Sequence, residues 1–558
     1  MAEPGRFCRV AAGIGEAKFL PIGRPNSFFE FLENEFEAVF TGSAGDQHTP
    51  LARICSQARE HGASSIVVET LPEIGDLKEE NSELKRKNVW NGDHLAKRVS
   101  FFRSQINSSR DIDEATENDF IGYFIWKADF GKGSAKRAKR RIYEAVVPPI
   151  PAPWRCVRGG KLWECRVANR IFTVRGHLFC QQNEVTNVCA HAAVRTVVST
   201  YHKDGDMSFH EMNGILREIS QEEDVDISKG IQIPYLIELL ERSGAECSVY
   251  ECHDLVAPKI SVNYQRWTYE CIESGFPAIL VFGDSFGRSS GEPFLHSVPV
   301  FGHTFNPDMW LPRAETTHFR NAHKLDFIPS DYWMGSFIGH DDNFGPNYSI
   351  PRHYFRSMRP ALNDHPQYPF LEGIACVIGT RPAHVKMRGL YAEIIAMALL
   401  QRFEKKPSIT ATKESPWRGR LFDHIKKNYI VLRTIHLSKA DYISHLSKLR
   451  GWDDTERFPS ELVEQTMAEL PPTFWLIELS VPELFSANKR KLGEMLIRSD
   501  APHSDFNDHN LWSSFLGARI PGRWIQINSM PQNSPTPRFS VTDIPIASHS
   551  SLYGRDDY

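Results

Sequence analysis

Four prolines within six residues divide this chain. Residues 148–153 read Pro-Pro-Ile-Pro-Ala-Pro. Because proline fixes φ and lacks a backbone N–H, this segment cannot continue a helix or lie in the middle of a sheet. It therefore predicts an extended connector with a domain boundary beside it. At 558 residues, the chain is long enough for about two to four domains, each with its own core.

The fold class predicted for these domains is α+β. Residues 1–150 mix short apolar runs with a charged helix at 73–87 and predict an N-terminal α+β domain of unknown role. In residues 155–380 helices come first and strands follow, which favours a helix packed on a later antiparallel sheet. Residues 385–530 predict a C-terminal α+β domain, and residues 531–558, rich in Ser, Pro, Asn and Asp, predict a flexible tail.

Charge and cysteine content exclude several classes of protein. A net charge of −4 does not favour nucleic acid or an anionic membrane as the main partner. The sequence shows no signal-peptide pattern and no run of about 18 apolar residues, which predicts a cytoplasmic protein without membrane segments. The ten cysteines are widely spaced, without a Cys-x-x-Cys pair, which indicates a reduced compartment rather than a disulfide framework or a structural zinc site.

Two smaller features have ordinary interpretations. The basic run at 132–141 lies between two strand-like runs and predicts an exposed hairpin tip, for which a solvated loop is favoured over a nucleic-acid contact. Cys247, Cys252 and His253 flank a short β-type run, so the two cysteines are expected on opposite faces. We therefore predict neither a metal nor a cofactor.

The strongest functional signal is Cys189. It follows a Thr-Asn pair that can cap a helix, and it precedes the helix-forming run Ala-His-Ala-Ala. A thiol in the first turn of a helix lies at the positive end of the macrodipole, which lowers the thiol pKa and favours thiolate. The amides of Gln182 and Asn183 come shortly before it and are candidate oxyanion donors. Alone, the pattern also fits a buried, unreactive cysteine on a helix face.

His296 is the candidate base. It opens an apolar strand-like run that ends at Gly302, and an imidazole at a strand edge can take a thiol proton and return it to a leaving amine. His303 is the rival base. Seven positions along a strand place the two histidines on opposite faces, so only one is expected to reach Cys189.

An acid that orients the imidazole is the third element of such a site. Asp341 and Asp342 close an apolar strand-like run and are followed by Asn-Phe-Gly-Pro. Adjacent positions in a strand face opposite ways, so one of the two is expected to serve. The alternative interpretation is a turn that is rich in Asp and Asn because these residues favour turns.

These residues resemble the papain-like cysteine peptidases, including relatives with Asp in place of Asn, such as the bacteriocin-processing peptidases of bacterial exporters. In that superfamily a Gln precedes Cys, the base His opens a strand that reaches Gly six positions later, and Asn or Asp closes a following strand. His296 and Gly302 have this spacing, and Asp342 begins an Asp-Asn-Phe-Gly that looks like the family's Asn-Ser-Trp-Gly. Gln182 lies one position further from the Cys than is usual, and Asn183 lies at the usual distance.

The resemblance covers the central region and implies a papain-like domain in which Cys189 is the nucleophile, His296 the base and Asp342 the orienting residue, with Asp341 as second choice. Gln182 would assist the oxyanion. The stretch between base and acid is long, which implies an insertion at about 307–332 that could cover the cleft.

The implied function is hydrolysis of peptide or isopeptide bonds in a protein or peptide substrate, with flanking domains that gate access or bind a regulatory protein. The same triad runs acyl transfer in transglutaminase-like and arylamine acetyltransferase enzymes. A hypothesis of another class is a non-catalytic sensor or binding protein with a peptidase-like core. Selective alkylation of Cys189 near neutral pH separates the active from the inert possibility.

Overall fold

Antiparallel sheets with helices packed against them form the fold, so the chain is α+β as the sequence predicts. The computed structural model describes residues 13–22, 49–132, 134–152, 154–220, 230–251, 264–284, 294–306, 315–316, 326–352, 373–411, 415–449, 459–500, 508–529, 537–544 and 549–550. Across these ranges, every helix is too short or too polar to cross a lipid bilayer.

The strands are β1 (Ile14–Pro21), β2 (Ser65–Thr70), β3 (His94–Phe102), β4 (Phe120–Gly131), β5 (Ser134–Val146), β6 (Arg155–Val157), β7 (Lys161–Val167), β8 (Arg170–Gly176), β9 (Ala245–Glu251), β10 (Ala278–Asp284), β11 (Phe294–Phe305), β12 (Glu315–Thr316), β13 (Asp326–Pro329), β14 (Met334–Asp341), β15 (Gly345–Pro351), β16 (Gly373–Pro382), β17 (Val431–Ser438), β18 (Thr473–Ser480), β19 (Arg490–Lys491), β20 (Gly493–Arg498), β21 (Phe515–Ile520), β22 (Arg523–Ser529), β23 (Arg538–Asp543) and β24 (His549–Ser550).

The α-helices are α1 (Thr49–Glu60), α2 (Gly75–Arg86), α3 (Ser109–Glu114), α4 (Cys189–Val198), α5 (Phe209–Ser220), α6 (Ile233–Arg242), α7 (Tyr264–Ile272), α8 (Gly389–Glu404), α9 (Pro407–Thr410), α10 (Pro416–Lys426), α11 (Lys439–Lys448), α12 (Ser460–Glu469), α13 (Pro482–Asn488) and α14 (Asp508–Ser514).

Strands β1 to β5 form an N-terminal antiparallel sheet in sequence order. Helix α2 packs on this sheet through Leu77, which shares a small core with Ala96 and Tyr143. A charged helix with widely spaced leucines has one narrow apolar face, and α2 packs on the sheet through that face. The stripe also buries Glu80, which lies between the two leucines of α2.

The basic run at 132–141 is the exposed hairpin tip that its composition predicts only at its start, where Lys132 is exposed in the turn. Strands β4 and β5 do form a hairpin, but the run continues into β5, where Lys139 and Arg141 are buried. Arg141 is held by ion pairs with Glu80 and Asp129. A buried cation is stable only when carboxylates neutralise its charge, and here those carboxylates belong to residues distant in sequence.

The central sheet has the strand order β15-β14-β11-β10-β16-β9, with antiparallel neighbours, and β6 pairs with β11. Helices α4, α5 and α6 cover one face, where Val194 shares a core with Ile279 and Val281. Helices α7 and α8 lie on the other face, in the core that includes Leu280. Strand β10 is therefore buried on both faces, which explains its continuous apolar sequence.

The C-terminal sheet has the strand order β12-β13-β17-β18-β20-β21-β22-β23. Strand β12 pairs with β13, and β13 pairs in parallel with β17, so residues 315–316 and 326–329 of the expected insertion at 307–332 extend this sheet. Residues 307–314 and 317–325 of that insertion lie outside the described residues.

Two segments of the C-terminal region differ from their sequence pattern in the described residues. Residues 487–497, whose pattern is typical of a short helix, contain the end of α13 followed by strands β19 and β20. The predicted flexible tail at 531–558 contains β23, which pairs with β22, and β24, which pairs with β19. Backbone pairing with a sheet edge fixes these segments although their composition resembles that of a disordered tail.

Candidate active site

Cys189 is the first residue of helix α4, with Val188 as the N-cap residue. Its side chain is half-buried, and the thiol points to the backbone carbonyl oxygen of Leu295 at 3.9 Å. The backbone N–H groups of the first helical turn lack intrahelical partners and carry the positive end of the macrodipole. The structure therefore gives the thiol the position that the sequence predicts, at the start of a helix.

The helix start is capped by His191, not by Thr186 or Asn187 as the sequence suggests. The Val188 N–H donates to His191 Nδ1 at 3.2 Å, and His191 Nε2 lies 3.0 Å from Asn213 Oδ1. Since Nδ1 accepts, Nε2 carries the proton and donates to the amide oxygen. Burial lowers the pKa of His191 to about 4, which keeps this ring neutral and its tautomer fixed.

The loop before helix α4 is fixed by a buried carboxylate of helix α2. Glu80 accepts hydrogen bonds from Asn183 Nδ2 at 2.8 Å and from Asn187 Nδ2 at 3.3 Å. Asn183 Nδ2 also donates to Thr186, and Asn183 Oδ1 accepts the N–H groups of Val185, Thr186 and Asn187. The donors of the Asn183 amide are thus directed into the loop, and not toward an oxyanion.

His296 lies near the start of β11, close enough to Cys189 for the thiol to contribute to the pKa of the imidazole. Its Nε2 lies 3.4 Å from Asp341 Oδ2 and 3.4 Å from Asp342 Oδ1. Burial alone would lower the pKa of His296, but the contacts with Asp341 and Cys189 and the charge of Asp342 outweigh burial and raise the pKa well above its usual value. Such an imidazole retains a proton that it takes from the thiol.

Both aspartates reach the imidazole, although the sequence predicts that only one would. Asp341 ends β14, and Asp342 begins the turn to β15, where strand alternation no longer applies. Burial raises the pKa of Asp341, but His296 and the N–H groups of Asn343 and Phe344, at 2.9 and 3.2 Å, lower it below its usual value. Burial raises the pKa of Asp342 to about 6. Asp341 therefore holds its negative charge more strongly.

The turn that carries the aspartates is attached to the N-terminal region. Arg53 of α1 donates to the carbonyl oxygens of Pro346 at 2.7 Å and Asn347 at 2.8 Å. Gln57 donates to the Pro346 oxygen at 2.8 Å and accepts from Asn347 Nδ2 at 3.0 Å. The loop before the cysteine and the turn with the acids thus both depend on contacts from outside the predicted 155–380 domain.

Gln182 is half-buried in the segment between β8 and α4. Within the described residues its amide forms no hydrogen bond, which leaves it open to a ligand. Its neighbour Gln181 is buried instead, where it donates to the backbone oxygen of Asp342 at 3.1 Å and accepts from the Ile142 N–H at 2.8 Å. Gln182 stays the predicted oxyanion donor.

His303 does not join this site. It is fully buried, forms an ion pair with Glu273 and packs against Tyr269. A register shift between Val300 and Gly302 interrupts β11, so strand alternation does not separate the two histidines as the sequence argument assumes. Length along the strand separates them, since seven residues span about 20 Å.

Sequence reasoning missed the supporting residues Glu80, Arg53 and His191. For Glu80 a signal existed, because it lies three residues after Leu77 and four before Leu84, on the buried stripe of its helix. A carboxylate on an apolar stripe indicates buried partners. Arg53 and His191 carry no comparable local signal, since their partners lie on other elements.

His296, Asp341 and Asp342 have ligand atoms that all lie within 4.8 Å of one another. In the part of the chain that the structure describes, these three residues form the cluster that could hold a metal ion. Cys247 was considered from the sequence as a metal ligand. Its side chain is half-buried, and burial raises the pKa of its thiol to about 12. Cys252 and His253 lie outside the described residues.

Comparisons of the chain with protein-family models, with curated proteins and with solved structures found no match. The papain-like resemblance of the central region therefore stays a prediction from motif order and spacing. What the structure adds is that thiol, imidazole and carboxylates lie close together in one place.

Proposed function

We propose that this protein is a cysteine hydrolase of the papain-like type that cleaves peptide or isopeptide bonds. One observation carries the proposal: the Cys189 thiol lies at the start of a helix beside Leu295 of β11, and the adjacent His296 has carboxylates at its Nε2. Nucleophile, base and orienting acid are the three parts that acyl transfer to a thiol requires. We assign the orienting role to Asp341, with Asp342 beside it.

In the first step the Cys189 thiol gives its proton to His296. Because the carboxylates lie at Nε2, the proton goes to Nδ1, and the thiolate adds to the carbonyl carbon of the substrate. The backbone N–H of Cys189 and the amide of Gln182 stabilise the oxyanion. The C–N bond then breaks, and the proton on His296 passes to the leaving amine.

In the second step water releases the acyl group. His296 takes a proton from water, the hydroxide oxygen adds to the thioester carbon, and the C–S bond breaks. The products are a carboxylic acid and the regenerated Cys189. The same intermediate would give acyl transfer if a nucleophile other than water released it.

Alkylation kinetics test the proposal directly. Folded protein is treated with iodoacetamide at pH 7, and the modified cysteines are quantified over time by peptide mass spectrometry. Cys247 is the internal control, since it is also half-buried but burial raises its pKa. We expect Cys189 to react at least about 100-fold faster than Cys247, because a neighbouring imidazole can take the thiol proton during the reaction.

Two variants make the result specific. His296→Ala should remove most of the rate advantage of Cys189. In cells, new protein N-termini that appear with the wild type and not with Cys189→Ala would identify substrates. Equal alkylation of Cys189 and Cys247 in the folded wild type would overturn the hydrolase proposal and favour the non-catalytic binding protein.

A further inference from the structure

A second chemistry is available where the two aspartates meet His296. The three side chains are buried, and their ligand atoms lie within 4.8 Å of one another. A single acid suffices to orient a catalytic imidazole, so the second carboxylate is more than the orienting role requires. Two carboxylates that approach the same nitrogen also repel each other, and burial strengthens that repulsion.

The distances at Nε2 fit a shared cation better than two hydrogen bonds. Both carboxylate oxygens lie 3.4 Å from Nε2, beyond the usual range of about 2.7–3.2 Å for N–H···O bonds. Zinc binds histidine nitrogen and carboxylate oxygen at about 2.0–2.2 Å in tetrahedral geometry, which separates neighbouring ligand atoms by about 3.3–3.5 Å. The two distances from Nε2 therefore match two edges of such a tetrahedron, and the two carboxylate oxygens lie within 4.8 Å of each other.

An unsatisfied oxygen supports the same conclusion. Asp342 is 7% exposed, and its Oδ2 has no hydrogen-bond partner within the described residues. The other carboxylate is satisfied, since Asp341 Oδ1 accepts two backbone N–H groups. A buried carboxylate oxygen without a donor is unfavourable, and a cation bound by both oxygens of Asp342 would satisfy it.

We propose that His296, Asp341 and Asp342 form a binding site for Zn²⁺. One imidazole nitrogen and two carboxylate groups suit this ion and leave a fourth position for water. The Cys189 thiol lies beside the imidazole but does not belong to the cluster of mutually close ligand atoms, so it is not a ligand.

Zinc binding and catalysis exclude each other at this site, a consequence that rests on the proposed hydrolase function. An imidazole whose Nε2 lone pair is bound to Zn²⁺ cannot become an imidazolium that stores the thiol proton. Asp341 would also be drawn to the ion and away from its orienting role. Zn²⁺ is therefore a reversible inhibitor, and its removal releases the base.

Equilibrium dialysis against Zn²⁺ tests binding without reference to activity. Full-length protein is stripped with EDTA and loaded, and bound metal is measured by mass spectrometry. We expect one Zn²⁺ per chain in the wild type and in Cys189→Ala, and at least about 100-fold weaker binding in Asp342→Asn. Binding that is unchanged in Asp342→Asn, or lost in Cys189→Ala, would contradict the assigned ligands.

The controls separate the two proposals. Circular dichroism establishes that each variant is folded, and His296→Gln replaces Asp342→Asn if the latter does not fold. Alkylation of Cys189 is measured with and without Zn²⁺. Zinc binding with an unreactive metal-free thiol would refute the hydrolase and leave the metal site intact. A reactive thiol in a wild type that binds no stoichiometric zinc would refute the metal site alone.

Discussion

Asp342 is expected to destabilise the folded protein above pH 6. Burial raises its pKa from the usual 3.8 to about 6, because the contact with His296 only partly offsets burial and the charge of Asp341. The stability that the protonated form gives is fully present below pH 3.8 and is lost as the pH rises through 6. The difference of about two pH units corresponds to about 3 kcal/mol at pH 8.

Asp342→Asn removes this penalty without changing the size of the side chain. Linkage then predicts a variant that is more stable than the wild type, with an advantage that grows by about 1.4 kcal/mol between pH 5 and pH 8. Urea unfolding followed by tryptophan fluorescence, in buffers with EDTA, measures this at both pH values. Because the protein is large, the first unfolding transition is compared between variants.

Asp341→Asn is the matched control, and its predicted effect has the opposite sign. His296 and two N–H groups hold the pKa of Asp341 below its usual value despite burial. The stabilisation that Asp341 gives is therefore present at pH 8 and lost as the pH falls. An Asp342→Asn variant that is less stable than the wild type at pH 8, or equally affected at both pH values, would refute the assignment of a raised pKa to Asp342.

Four further substitutions test the site, its supports and the buried ion pair between Arg433 and Glu273. Gln182→Ala should slow acylation by about 10²–10³ and leave the free energy of unfolding unchanged. Asn183→Ala should lower the free energy of unfolding by about 3 kcal/mol, because the backbone N–H groups of the loop lose the Asn183 oxygen that accepts their hydrogen bonds. Arg53→Ala should lower stability by about 1–3 kcal/mol and slow alkylation of the catalytic thiol, since two hydrogen bonds to the acid turn are lost. Arg433→Met should lower stability by about 3–5 kcal/mol, because it leaves buried Glu273 without its guanidinium; a neutral result would mean that this ion pair is not needed.

The parts of the fold that sequence predicts well are those with a local cause. The hairpin β4–β5 follows from two apolar runs around a polar turn, and helix α2 follows from a charged segment with spaced leucines. The same holds for Cys189, whose place at the start of α4 is indicated by the preceding polar loop and the alanines that follow.

Strand alternation is where the sequence argument failed. It separated Asp341 from Asp342, but a turn begins after Asp341 and brings both carboxylates to one nitrogen. It also assigned His296 and His303 to opposite faces, although β11 contains a register shift. Bulges and strand ends depend on the partner strand, and a single sequence does not reveal that partner.

Buried charge was equally hidden. The basic run at 132–141 has the composition of a solvated loop, yet Arg141 pairs with Glu80 some 61 positions earlier in the chain. Rules based on local composition do not indicate which distant residue pairs with a buried charge. The carboxylate that fixes the loop before the cysteine was missed for this reason.

The attachment of both halves of the site to α1 and α2 determines how truncated forms of this protein behave. A fragment that starts after the proline connector keeps Cys189, His296 and both aspartates but loses Glu80 and the guanidinium that clamps the acid turn. Under the proposed hydrolase function, such a fragment would be inert because its site is no longer held in place. Substitutions of Arg53 or Glu80 would then lower activity although neither residue takes part in the proposed reaction.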